Sequence, residues 1–146
     1  MSKLIKDLDY TIQVKAQKTY DEMNNSETLK ALGVEKVAIS ETKRDIAVQM
    51  AYYSRSRMKN NDDVKLMYKR AGLYTPTDAE CETANTWTLY SKHIDGKAID
   101  LVPVKDGICW WTAPDEVWQE MGKIGKENGL TWGGDWTTPD KPHFEI

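Results

Sequence analysis

The chain has 146 residues, of which 40% are hydrophobic and 29% are charged, as expected for one folded domain, residues 1–146. Its net charge of −3 offers no basic field for nucleic acid or an anionic membrane surface, which disfavours nucleic-acid binding. No apolar run reaches the roughly 18–20 residues that a membrane span requires. The charged N-terminal segment has no signal-peptide apolar region, so we expect a protein made in a cytoplasm.

A helix over residues 7–24 is predicted first, because Leu8, Ile12, Ala16 and Tyr20 recur at four-residue spacing. This spacing places one apolar stripe on one face, which is typical of an amphipathic helix packed on a core.

Two short elements follow this helix. Ser26 is expected to cap a helix that runs through Leu32 and ends at Gly33. The alternating, β-branched pattern of Val37–Ser40 then predicts a strand.

The middle of the chain is predicted as a helix and a long excursion. Residues 41–58 are expected to be helical, with Ile46, Met50 and Tyr53 on one face. Residues 59–90 contain a polar break, one or two helical turns and an irregular stretch. Long segments of this kind often form lids or substrate walls.

The C-terminal part predicts a small sheet with a helix inserted. A strand follows Lys97, and its hairpin partner is expected around Asp106–Gly107. Pro114 begins a helix that reaches about Asn128 and stops at Gly129. Short strands in LTWGGDW and PHFEI complete the chain. Helices followed by antiparallel strands predict an α+β fold.

The only two histidines each lie near a carboxylate. His93 precedes Asp100 by seven residues, and His143 follows Asp140 by three. His93, Asp100 and His143 provide the three ligands of a catalytic zinc, which keeps one position open. Gly96 allows the chain to turn between the first two. Asp140 is then placed to act as a base on water. Two metal-free His–Asp pairs are the alternative.

These segments resemble the signatures of a known family. SKHIDGKAID matches the S-x-H-x-x-G-x-A-x-D signature of zinc peptidases that cut peptidoglycan stem peptides, a group related in fold to the hedgehog signalling domain. GGDWTTPDKPHFEI resembles its second block. ISETKRDIAVQMAYYSRSR resembles its upstream block, in which an arginine precedes a helix that carries a glutamine and a second arginine. The resemblance covers about residues 37–146, except residues 59–90.

The resemblance implies a role for each matching residue. His93, Asp100 and His143 take the places of the zinc ligands, and Asp140 takes that of the catalytic acid. Arg44 matches the arginine that stabilises an oxyanion, with an unused helix-surface charge as the alternative.

Further residues are weighed beside these. Arg57 matches the second arginine, although YYSRSRM lacks the glycine that usually precedes it. Ser91 is assigned to substrate contact or turn capping, and Trp136 to the site wall or the core. Asp135 is assigned to orienting a ligand or capping a turn. Four aromatic residues near the site are assigned to the core or a substrate platform: Trp87, Tyr90, Trp110 and Trp111.

The function that the resemblance implies is zinc-dependent hydrolysis of a stem-peptide amide bond. With no signal, anchor or wall-binding repeat, we expect a monomeric phage or prophage endolysin that cuts the L-alanyl-D-glutamate bond. It would accumulate in the host cytoplasm and reach the wall at lysis. A D-alanyl-D-alanine carboxypeptidase or dipeptidase is one alternative. A zinc-stabilised cell-wall-binding module without turnover is another. Cys81 and Cys109 are expected to be free thiols, with one disulfide left open.

Overall fold

An antiparallel sheet of five strands forms the centre of the protein, in a computed structural model that describes residues 1–146. The strand order is β1-β2-β5-β4, and β3 pairs with the end of β2. The strands are β1 (Lys36–Glu41), β2 (Ala98–Lys105), β3 (Ile108–Cys109), β4 (Thr131–Trp132) and β5 (His143–Glu145). The α+β fold class and the hairpin around Asp106–Gly107 are confirmed.

The register of the sheet brings three polar residues together. Asp100 of β2 lies opposite Glu41 of β1 on one side and opposite His143 of β5 on the other. Paired residues of antiparallel strands project to the same face. Ile99 and Leu101 flank Asp100 and are fully buried in the main core. Because side chains alternate along a strand, Asp100 points to the opposite face.

Six α-helices and two short 3₁₀ segments surround this sheet. The 3₁₀ segments span Ile5–Asp7 and Gly133–Asp135. The helices are α1 (Tyr10–Asn25), α2 (Glu27–Ala31), α3 (Ile46–Ser54), α4 (Asn61–Arg70), α5 (Asp78–Glu82) and α6 (Asp115–Glu127).

The capping residues explain where the first helices begin. The Asp9 side chain accepts a hydrogen bond from the Thr11 amide, so α1 begins at residue 10 instead of residue 7. The Ser26 side chain accepts one from the Leu29 amide, which confirms the predicted cap of α2. The main core lies between α1, α6 and one face of the sheet.

Helix α3 corrects the prediction for residues 41–58. It is only nine residues long, and the predicted apolar face is largely exposed, since Ile46 is 63% and Met50 46% exposed. Val48 and Ala51 are buried instead. Apolar side chains surround most of this short helix, so their spacing does not identify the buried face.

Residues 59–90 are more regular than predicted. They contain α4, which is ten residues long, and α5, which begins with a capping box between Thr77 and Glu80. Val64, Tyr68 and Cys81 pack with α3 in a second, smaller core. Residues 71–77 and 83–90 of the predicted excursion remain irregular.

Both cysteines are free, as expected, with Cys81 buried and Cys109 exposed. None of the helices combines the length and the apolar composition that crossing a membrane requires.

Candidate active site

The three predicted metal ligands converge on one point. Their ligand atoms lie within 4.8 Å of one another. Asp100 Oδ1 is 3.1 Å from His93 Nε2 and 3.1 Å from His143 Nδ1, and the two nitrogens are 3.2 Å apart. The pairing of β2 with β5 fixes Asp100 against His143.

Gly96 brings His93 to the same point. Its φ of +67° is in the left-handed region that favours glycine. Its amide donates to the His93 carbonyl, and its own carbonyl accepts from the Asp9 amide. A Cβ at this position would lie 2.9 Å from the Asp9 nitrogen. The turn before β2 therefore depends on glycine for both its conformation and its packing.

The outer nitrogen of each imidazole has an acceptor partner. His93 Nδ1 lies 2.6 Å from the Thr42 carbonyl oxygen, and His143 Nε2 lies 2.9 Å from Glu145 Oε2. Both partners only accept, so each outer nitrogen carries the proton and each inner nitrogen presents a lone pair. Sequence reasoning missed Thr42 and Glu145, although Glu145 is two residues after His143 and shares its face of the strand.

The donor set fits a zinc ion. With these tautomers, His93 Nε2, His143 Nδ1 and the Asp100 carboxylate are three acceptors aimed at one point with no donor between them. A metal cation at that point satisfies all three acceptors at once. Two imidazoles and one carboxylate are the ligand types and the ligand number of a catalytic zinc site.

The ligands also shift each other's protonation. Without a metal, each imidazole can take a second proton and donate it to Asp100. Burial favours a raised pKa for Asp100, but these hydrogen bonds from His143 and His93 outweigh burial and hold the pKa well below its usual range. Burial lowers the pKa of His143, but the hydrogen bond to Asp100, the charge of Asp100 and the hydrogen bond to Glu145 outweigh burial, so the pKa of His143 is raised. The carboxylate is therefore ionised, as a metal ligand must be.

Asp140 lines the same cleft as the three ligands. Burial, followed by the negative charge of Asp100, raises the pKa of Asp140. The Asp140 amide donates to the Gly133 carbonyl over 2.9 Å, and the His143 amide donates to the Asp140 carbonyl. A Cβ on Gly133 would lie 2.6 Å from that carbonyl oxygen. Glycine at position 133 thus lets this turn approach the ligands.

Arg44 lies in the cleft wall, with 11% of its side chain exposed. Its Nε and Nη2 donate to the two Glu41 carboxylate oxygens, and Nη1 donates to Gln49 Oε1 over 2.6 Å. Burial opposes the charge, but Glu41 outweighs this and raises the pKa of Arg44. A guanidinium has five N–H donors, so two remain for substrate. Glu41 and Gln49 are both buried.

Arg57 is not brought to the site. Its guanidinium lies 3.9 Å from the Tyr53 ring centroid and 5.8 Å from that of Trp87, and it does not line the cleft. The catalytic role assigned to it by resemblance has no geometric support, because the chain is extended after Ser54 and turns at Ser56, which has a φ of +62°.

Arg55 is the buried arginine of this segment instead. Its Nε donates to the carbonyls of Glu80 and Thr83, and its Nη1 donates to Asn85 Oδ1 over 3.3 Å. Asn85 begins one wall of the cleft, residues 85–92. Arg55 therefore fixes the start of that wall.

The remaining predicted residues divide between the cleft and other places. Ser91 lines the cleft, and its hydroxyl also accepts from the His93 amide. Trp136 also lines the cleft, with its ring centroid 5.1 Å from that of His143. Asp135 pairs with Lys126 of α6 and orients no ligand.

Comparisons with known proteins agree with this arrangement. Residues 84–146 match the profile of a peptidase family described as D-alanyl-D-alanine carboxypeptidase. The matched range contains all three ligands and Asp140. Over these residues, which are fewer than half of the chain, the sequence is similar to this peptidase family. The predicted zinc metallopeptidase, its zinc cofactor and the predicted family are thereby confirmed.

Two solved structures share the fold of the peptidase. The Serratia marcescens L-Ala D-Glu endopeptidase ChiX has a TM-score of 0.57 and 18% identity, with 97% of this chain and 82% of that chain covered. The D,D-pentapeptidase VanY from a VanB-type vancomycin resistance cassette, solved as an E175A mutant with Zn(II), has a TM-score of 0.53 and 20% identity. The coverage is 95% of this chain and 72% of that chain. A search of curated proteins finds no match.

Proposed function

We propose that this peptidase hydrolyses the L-alanyl-D-glutamate bond of peptidoglycan stem peptides, with residues 1–146 acting as one catalytic domain. The observation that carries the proposal is the convergence of three metal-ligating acceptors beside Asp140 and Arg44 in one cleft. The likeness in fold to an L-Ala D-Glu endopeptidase over 97% of the chain supports this choice of bond.

The side chains divide the chemistry among them. His93, Asp100 and His143 would hold zinc, which supplies Lewis acidity for the attacking water and the scissile carbonyl. Asp140 takes the proton from the attacking water and returns it to the leaving amine. Its raised pKa suits a group that must accept and release a proton. Arg44 lines the cleft, and its two remaining N–H donors would stabilise negative charge on the carbonyl oxygen.

Digestion of purified peptidoglycan, followed by mass analysis, tests the proposal. We expect peptides that begin with D-glutamate, glycan strands that retain L-alanine, and no products after chelation. Asp140→Asn should abolish hydrolysis and keep zinc, because Asp140 is not a ligand. Asp21→Asn, on the exposed face of α1, is the matched control. Hydrolysis by Asp140→Asn at the wild-type rate would overturn the mechanism.

A D-alanyl-D-alanine carboxypeptidase is the second candidate, favoured by the description of the matching family. Both reactions use the same side chains, so only the products separate them. Release of free D-alanine, with the L-alanyl-D-glutamate bond intact, would select this candidate and contradict the first.

A zinc-stabilised wall-binding module is the alternative that is not an enzyme. It predicts binding to peptidoglycan without any released peptide and no effect of Asp140→Asn on binding. Asp140 lines the same cleft as the ligands and has a raised pKa. A perturbed pKa in a cleft is typical of catalytic groups, which favours the enzyme.

The biological setting we propose is a phage or prophage endolysin that acts as a monomer. It would accumulate in the host cytoplasm and reach the wall once the membrane is opened. Cells that express the protein should keep a constant turbidity until the membrane is permeabilised, and then lyse. Cells that express Asp140→Asn should not lyse after the same treatment.

A further inference from the structure

Two large aromatic side chains stand at the rim of the cleft in contact with solvent. Trp87 is 76% exposed and Tyr90 is 93% exposed, yet both line the cleft that holds the metal ligands. Trp111 is also exposed, at 57%, but lies outside the cleft after the β2–β3 hairpin. Exposed aromatic surface grouped beside a site indicates contact with a ligand.

The Trp87 ring is in contact with the guanidinium of Arg57. Arg57 lies between the rings of Tyr53 and Trp87, and its Nη1 donates to the Tyr53 carbonyl over 2.8 Å. Gln49 Nε2 donates to the Thr88 carbonyl over 2.6 Å and holds the wall on the adjoining side. Cation–π contact of this kind fixes the orientation of an exposed ring. Arg57 thus has a positioning role that its sequence match did not suggest.

The chemistry of this wall suits a sugar. Thr86 and Thr88 lie on either side of Trp87 in the sequence, and both line the cleft. Their hydroxyls donate to the Thr88 and Tyr90 carbonyls, which fixes their positions, and each hydroxyl oxygen has two lone pairs with which it can accept. A pyranose ring presents a face of C–H groups with hydroxyls at its edge. That face can stack on an aromatic ring while the hydroxyls at its edge hydrogen-bond to polar groups beside the ring. An aromatic side chain with polar neighbours therefore suits a sugar.

We propose that residues 85–92, here called the aromatic wall, bind the glycan sugar to which the stem peptide is attached, with Trp87 as the stacking platform. The inference rests on the proposed function. Only L-alanine separates the L-alanyl-D-glutamate bond from the lactyl group of the sugar. One extended residue spans about 3.3–3.6 Å, so the sugar must lie at the wall of the same cleft. A D-alanyl-D-alanine bond is four residues from the sugar, roughly 13 Å at that spacing.

The test compares two substrates that differ only in the sugar. One is a stem peptide linked to its disaccharide, and the other is the same peptide with an N-acetyl group in its place. We expect the wild type to prefer the linked peptide in kcat/KM by roughly tenfold, the magnitude of one good stacking contact. Trp87→Ala should remove this preference, Trp87→Phe should retain most of it, and Trp111→Ala should match the wild type.

Calorimetric titration with the peptide-free disaccharide, which contains the lactyl-bearing sugar, provides a readout that does not depend on hydrolysis. Binding should be lost in Trp87→Ala and kept in Trp111→Ala, with thermal unfolding used to confirm that each variant is folded. Equal kcat/KM for the two substrates in the wild type, or the same preference in Trp87→Ala, would overturn the sugar subsite. If neither substrate is cleaved, the proposed function fails, and the titration alone decides whether the aromatic wall binds sugar.

Discussion

At the scale of single residues, the tautomer of each ligand is set by one hydrogen bond. Glu145 accepts from His143 Nε2, so the Nδ1 lone pair is directed to the point where His93, Asp100 and His143 converge, here called the metal point. Glu145→Gln removes the negative charge behind the ring and should weaken zinc binding by roughly tenfold or more, the usual effect of such partners. Competition with a chelator of known affinity measures this. Glu127→Gln, exposed at the end of α6, should bind zinc like the wild type, and an unchanged affinity in Glu145→Gln would contradict the assignment.

Tyr74 gives a residue-scale prediction far from the site. Tyr74 is 56% exposed, so only part of the ring is desolvated; this partial desolvation and a hydrogen bond to Glu80 raise its pKa to about 12. The folded pKa is above the unfolded value of about 10, so the protonated phenol contributes stability below pH 10 that is lost as the pH rises through 12. Tyr74→Phe should flatten the fall in stability between these values, measured by denaturant unfolding. Tyr10→Phe, which alters an 81% exposed side chain, should keep the wild-type slope.

At the scale of elements, α3 connects Arg44 to the aromatic wall through Gln49. Its Oε1 accepts from Arg44 and its Nε2 donates to the Thr88 carbonyl. Gln49→Leu removes the partner of the largely buried Arg44 guanidinium and of the Thr88 carbonyl, which costs about 1–3 kcal/mol of folding stability. Both the arginine and the wall should lose their fixed positions, so kcat/KM should fall by roughly tenfold or more.

Measuring zinc affinity distinguishes the loss of activity in Gln49→Leu from damage to the metal site. It should not change in Gln49→Leu, because Gln49 contacts none of the ligands. The exposed Gln119→Leu on α6 serves as the matched control. Parallel loss of zinc and activity in Gln49→Leu would argue against the proposed coupling.

The elements also show what sequence could and could not provide. The ligands His93, Asp100 and His143 were predictable, because short local spacings encode the turn and the strands that carry them. The sequence did not show that Arg55, and not Arg57, is the buried arginine of this segment. That difference depends on the positive φ at Ser56. The position of Glu41 beside the site could not be predicted either, because only the register of β1 against β2 places it opposite Asp100.

At the scale of the whole molecule, the metal point joins segments that are distant in the chain. It links the turn before β2 to β5, which lie 50 residues apart at His93 and His143. A ligand that binds only the folded state stabilises it by about 4.1 kcal/mol at a thousand times its Kd. For a chain of this size each kcal/mol raises Tm by about 2–4 °C, so chelation should lower Tm by roughly 10 °C.

Two variants and a pH series make this prediction specific to the three ligands. Asp100→Asn should lose most of the zinc-dependent rise in Tm, whereas Asp140→Asn should keep it, because Asp140 lies outside the ligand set. Protons compete with the metal for the ligands. The pKa of His143 is raised above its ordinary value, so its proton must be displaced by zinc near neutral pH. The difference in Tm between zinc-loaded and chelated protein should therefore shrink as the pH falls below 7. A difference independent of pH would place the stabilising ion at other residues.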